Sequence, residues 1–211
     1  MAKLLLGPLG AISGKLGAIT AVQGKNGTYI YPTPEPRRNN PSPAQIMQRN
    51  IMTAVSGFLF PLRKLLPISF YQKNDTGIPW NRAVSYNMTN AVYISGNDLK
   101  IRYSAALVSQ GRLPVPLSAG AKATIPGVIT YTWAGDPGLT RALPSDRVML
   151  VVYCEALNQC IYSVNASYRA AGTGSIQVPD FTGQTVQTWM AFVSRDGQRV
   201  SNSVYTGELI P

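Results

Sequence analysis

Seven basic side chains, Lys15, Lys25, Arg37, Arg38, Arg49, Arg63 and Lys64, with Tyr29 and Tyr31 among them, are the residues whose type and spacing could do chemistry here. That chemistry is binding: ammonium and guanidinium groups neutralise phosphates, and phenol rings stack on bases without reading sequence. Catalysis has less to work with. The 211 residues include no His, which removes the commonest general base, the imidazole zinc ligand and the Ser-His or Cys-His pair. Nine acids are spread along the chain, and the expectation is a protein that is not an enzyme and uses no cofactor or metal. Gly14-Lys15 and Gly24-Lys25 superficially match a phosphate loop. The upstream glycine positions hold Leu9 and Ile19, however, and Leu16 and Asn26 replace the Ser or Thr, so that motif is rejected.

The two cysteines, Cys154 and Cys160, lie on β-like runs joined by Glu155-Ala156-Leu157-Asn158-Gln159. A hairpin there could bring them opposite each other, although reduced core thiols are the favoured reading without a convincing signal peptide. Lys3 with Leu4-Leu5-Leu6 starts like a signal peptide, but Gly7-Pro8 breaks the apolar run. No stretch approaches the length of an apolar membrane span, so no membrane insertion is expected. Synthesis in the cytoplasm follows, with the finished protein in a virion or other assembled particle.

The elements that must position these residues differ along the chain. Residues 1–104 carry 12 basic and 3 acidic side chains, and 105–211 carry 7 and 6, so the net charge of +10 is concentrated in the front half. Ile19, Ala21 and Tyr29 flank Asn26-Gly27, a favoured hairpin turn. Five prolines between 32 and 43 then favour an extended strap around Arg37-Arg38. Ser42-Pro43-Ala44-Gln45 predicts a capped helix start. Met47, Ile51, Val55, Phe58, Leu62 and Leu65 follow at spacings of 4, 4, 3, 4 and 3, an amphipathic stripe that Pro61 must kink or divide. The stripe reads first as core. A partner groove over Met47, Ile51, Val55, Phe58 and Leu62 is the alternative. A second helix is expected near Pro79 to Ala91, then alternation at Leu99, Ile101 and Tyr103.

From 121 onward the pattern is a series of β-runs divided by turns. Ile129, Tyr131 and Trp133 alternate with threonines, Val148 to Tyr153 is continuously apolar, and Asp196-Gly197 joins two further runs. The fold class expected is therefore mainly β with some α. An N-terminal hairpin and extended arm (1–43) leads into a helix-containing α+β region (44–120), and an immunoglobulin-like or fibronectin-like β-sandwich follows (121–211).

Gly7-Pro8-Leu9-Gly10, Ser13-Gly14-Lys15-Leu16-Gly17, Asn40-Pro41, Gln45 and Gln48-Arg49 occur in order, followed by Asn90-Ala91 and by Ser201-Asn202-Ser203 with Tyr205 and Gly207. In these motifs the chain resembles an uncharacterised family of Bacteroidota proteins, a domain of unknown function. The resemblance implies a helix-bearing front and an immunoglobulin-like tail, and brings no catalytic residues.

The functional expectation is a structural or assembly subunit of a larger particle or filament, such as a phage virion component. Its N-terminal arm would contact neighbouring copies or other structural proteins. Ordering such an arm costs about 1–2 kcal/mol per residue in backbone entropy, so it needs a large contact surface. One alternative is a nucleic-acid-binding protein using the basic and tyrosine residues named above. Another is a surface adhesion or carbohydrate-binding module with Trp80 as the exposed platform, Trp133 and Trp189 reading as core.

Overall fold

In the computed structural model, the described residues are 2–4, 13–25, 27–35, 40–72, 77–95, 98–134 and 142–211. The chain divides into two compact units, Met1–Ser42 and Pro43–Pro211. Arg37, Arg38 and Asn26 lie outside the described residues.

The first unit is a four-stranded antiparallel sheet of β1 (Ala2–Leu4), β2 (Gly14–Leu16), β3 (Ile19–Gly24) and β4 (Gly27–Pro32), in the order β1-β4-β3-β2. The expected hairpin is its centre: β3 pairs with β4 from Ile19↔Pro32 to Gly24↔Gly27. Thr33 closes the far end, its backbone amide donating to Ala18 O at 2.8 Å and its hydroxyl to Gly17 O at 3.2 Å.

The second unit opens with α1 (Pro43–Leu59), starting at the proline that the sequence places first. Pro61 ends it: residues 60–65 turn, and a single further turn, α2 (Leu66–Ser69), follows. The second long helix, α3 (Pro79–Asn90), also begins on a proline, whose missing N–H costs nothing in the first turn. A hairpin of β5 (Val92–Ser95) and β6 (Asp98–Ile101) completes this layer.

Seven strands follow: β7 (Leu117–Ile125), β8 (Val128–Ala134), β9 (Arg147–Cys154), β10 (Gln159–Ser163), β11 (Thr173–Gln177), β12 (Val186–Val193) and β13 (Val204–Leu209). They form a three-stranded sheet, β11-β8-β7, and a four-stranded sheet, β10-β9-β12-β13. Ile129, Tyr131 and Trp133 of the first sheet pack on Val148, Leu150, Val152, Met190 and Phe192 of the second. The other face of the four-stranded sheet, with Met149, Val151, Trp189 and Ala191, packs on Val55, Phe58, Leu59, Leu62 and Leu65.

The unit is thus three layers deep, helices on sheet on sheet, with a core in each gap. Covering on both faces explains why β9 and β12 read as continuous rather than alternating runs, and why all eight residues of β12 are buried. The boundary expected at 120/121 falls inside β7, and the helical region and the sandwich close a core together.

The segment that links the helical layer to β7 is held by side chains. Asn87, fully buried, donates to Leu107 O at 2.9 Å and accepts from Leu107 N at 3.0 Å. Ser203 Oγ accepts from Val108 N, Ser109 Oγ donates to Ser201 O, and Asn202 Oδ1 accepts from Gly111 N. Ser201-Asn202-Ser203 is therefore a backbone clamp on residues 108–111.

Candidate functional site

The residues singled out for binding fall into both units. In the first, Lys15 pairs with Thr20, Thr20 with Tyr31, and Val22 with Tyr29, which places Lys15, Tyr29 and Tyr31 on one sheet face. Lys25, exposed, occupies the β3–β4 turn. The opposite face carries an apolar pair at one end: Leu16 lies opposite Ile19, and the two side chains are 49% and 42% exposed. Of this unit's described side chains, only Ala21 and Thr28 are buried.

In the second unit, Arg49 and Lys64 are exposed, and the Arg63 guanidinium lies 4.8 Å from the Phe60 ring centre. The stripe packs as core, its first reading, and the partner-groove alternative is corrected for Val55, Phe58 and Leu62. Val55, Phe58 and Leu62 are 0%, 3% and 0% exposed, because the four-stranded sheet offers them an apolar face in their own unit. Met47 and Ile51 are half-buried. Trp80 is half-buried against the same core, while Trp133 and Trp189 lie inside the cores.

Two charged regions of the second unit are not apparent in the sequence. At the end of the four-stranded sheet where β9 begins and β12 stops, Arg112, Arg147, Arg195 and Arg199 gather. Leu113 N donates to Val200 O at 3.0 Å, which brings Arg112 beside the Asp196-Gly197 turn, and Arg147 pairs with Val193. Arg112 and Arg199 line a pocket of about 320 Å³ with Tyr71, Gln72 and Gln198. None of the four guanidiniums has an ion-pair partner among the described residues. The carboxylates nearby are already engaged. Asp146 is paired with Arg169, and Asp196 accepts from Ser194 Oγ and from Gln198 N. The Ser194 hydrogen bond, then the Gln198 amide, hold the Asp196 carboxyl below the usual range.

At the other end of that sheet, α1 and the β5–β6 hairpin wall a cleft of about 560 Å³. Its floor is Tyr103, Tyr153, Gln187 and Glu208, with Glu155 and Asn158 in the β9–β10 turn. Gln187 Nε2 donates to Glu208 Oε2 at 2.6 Å, Tyr205 Oη donates to Gln187 Oε1 at 2.5 Å, and Tyr153 Oη donates to Asn158 Oδ1 at 3.1 Å. Behind the phenols, Phe58, Tyr103, Tyr153, Trp189 and Tyr205 stack with centroid spacings of 5.2–6.1 Å. Burial, then the Glu155 charge, push Tyr153 up to about 12 and Tyr103 further, so both are neutral donors at physiological pH. Lys100 and Tyr93 form the rim, and Arg102 lies over the Tyr93 ring at 5.2 Å. Neutral phenols, amides and two carboxylates suit a hydrogen-bonding ligand that carries positive charge.

Cys154 and Cys160 occupy opposite faces of the β9–β10 hairpin. Cys160 pairs with Tyr153 and Cys154 with Gln159, so Cys154 points into the core between the sheets and Cys160 toward the helical side. Both thiols are free. Among the described residues there is no group of three or more His, Cys, Asp or Glu side chains that could hold a metal ion, and no helix is long and apolar enough to cross a membrane.

The profile of a family of unknown function (DUF6266) matches residues 11–207, nearly the whole chain. No curated protein matches it.

Proposed function

The chain belongs to the DUF6266 family of unknown function, and we propose that it is a non-enzymatic assembly subunit of a particle or filament, a phage virion being the leading instance. The rigid part is the three-layer block of residues 43–211. The joining part is the N-terminal sheet. We read the seven-strand portion of the block as an immunoglobulin- or fibronectin-like sandwich, on its two sheets of three and four strands and its short turns. The motif resemblance supports a Bacteroidota source.

One observation carries the reading: the first unit is a separate sheet with an exposed apolar pair, Leu16 and Ile19, and among its described side chains only Ala21 and Thr28 are buried. Chains below roughly 40 residues rarely bury enough surface to hold a fold without a staple or a partner. A neighbouring subunit supplies the missing cover. The test compares the full chain with residues 43–211 by light scattering at low and high salt. The full chain is expected to form a multi-subunit species that survives high salt, and the shortened chain to lose it while staying folded. A full chain that remains monomeric throughout overturns the reading.

The second reading, nucleic-acid binding, is favoured by Lys15, Tyr29 and Tyr31 sharing a sheet face. Binding of single-stranded oligonucleotide that weakens steeply with salt, and weakens further in Lys15→Ala, would support it.

A further inference from the structure

The two ends of the four-stranded sheet carry opposite chemistry, and we propose that they meet: the arginine end of one copy docks into the carboxylate cleft of the next. This rests on the assembly reading and adds to it a direction.

Strand β12 runs from the cleft end, at Gln187, to the arginine end, at Val193, and β9 runs the opposite way from Arg147 to Cys154. At about 3.4 Å per residue the six steps from Gln187 to Val193 span about 20 Å, so the groups cannot pair within one block. Arg195 and Arg199 flank an exposed turn, with Gly197 at φ +71°, and have no ion-pair partner among the described residues. At the opposite end, Glu155 and Glu208 border a concave, tyrosine-walled cleft.

A guanidinium is the cation this cleft suits. Its planar fork can bond a carboxylate through two N–H groups, and its face can stack on Tyr93 or Tyr103. Lys100 and Arg102 at the rim oppose entry of a bare cation. The contact therefore requires a shaped partner that reaches past the rim, as a β-turn does. Because the two surfaces differ, the contact is head-to-tail, and repeats to give a ring or an open filament.

The experiment uses three full-length variants, R195E/R199E, E155K/E208K and all four changes together, each first checked for an unchanged thermal midpoint. Self-association is measured by sedimentation at low salt. Each double variant is expected to weaken it at least tenfold, and the quadruple variant to restore it. Double variants that associate like the parent overturn the proposal, and so does a quadruple variant that is not restored. A labelled oligothymidylate is titrated in parallel. If R195E/R199E loses oligonucleotide binding while self-association is unchanged, the arginine end is a polyanion site and the head-to-tail contact is wrong. Removing residues 1–42 tests the N-terminal contact separately, so either contact can fail alone.

Discussion

Arg169 Nε stands 3.2 Å from Asp146 Oδ2 in an ion pair whose side chains are 4% and 0% exposed. The guanidinium also lies 3.7 Å from the Phe192 ring centre and donates to Pro114 O at 3.1 Å, while Arg169 O accepts from Trp133 Nε1 at 2.8 Å. One residue, through its guanidinium and its backbone carbonyl, thus ties both sheets of the sandwich to the segment entering β7. Removing one partner of such a pair strands the other charge in the interior, at a cost of about 3–5 kcal/mol. Arg169→Met and Asp146→Asn are each expected to fall in that range in urea unfolding. The double variant is expected to lose less than their sum, because no unpaired charge remains.

The sequence carried the helices more openly than the surfaces they create. Pro43, Pro61 and Pro79 punctuate the helical layer where the structure begins, breaks and begins again, because proline acts through its own ring and missing N–H. Strand β11, Thr173–Gln177, has no such local signal. It contains one large apolar residue, Ile176, and Gly174, where an added Cβ would come within 3.0 Å of Ser167 Cβ. Its place is set by pairing with β8. The basic front half is visible as composition, whereas Arg112 and Arg147 are far in sequence from Arg195 and Arg199 and are brought to them by strand register and a loop hydrogen bond.

The hairpin that joins Cys154 to Cys160 offsets them by one position, and a one-residue offset reverses the face on which a side chain stands. No intramolecular disulfide is therefore expected, and thermal midpoints with and without reductant should coincide. Burial pushes the Cys160 thiol up to about 12. Thiol titration of the native protein at neutral pH should react far more slowly than after denaturation. Rapid native labelling of Cys160 would show that its strand edge opens.

Gly111 marks a close crossing of two backbones. A Cβ there would press on Val200 O and lie 2.7 Å from Val200 C. The obstruction is main chain, so no rotamer relieves it. Gly111→Ala is expected to destabilise by about 1–3 kcal/mol and to loosen the Leu113–Val200 hydrogen bond. Hydrogen exchange at Leu113 should accelerate, while exchange in β8 stays unchanged. Equal acceleration at both places would mean global destabilisation instead of a local crossing.

Alkaline pH should act on the aromatic wall of the cleft. Tyr153 is raised from an ordinary 10.0 to about 12 by burial and then by Glu155, and Tyr103 is shifted further in the same direction. A raised phenol is bound to its proton more tightly in the folded chain than in the unfolded one. Its contribution to stability is complete below pH 10 and is lost as pH rises toward 12. Urea midpoints should therefore be insensitive to Tyr153 up to about pH 9.5 and decline above it, by linkage to the ordinary phenol value. Tyr153→Phe removes the hydroxyl that donates to Asn158, so the variant should be less stable at neutral pH yet lose less between pH 10 and 12. Parallel curves for parent and variant across that window would show that Tyr153 does not control the alkaline transition.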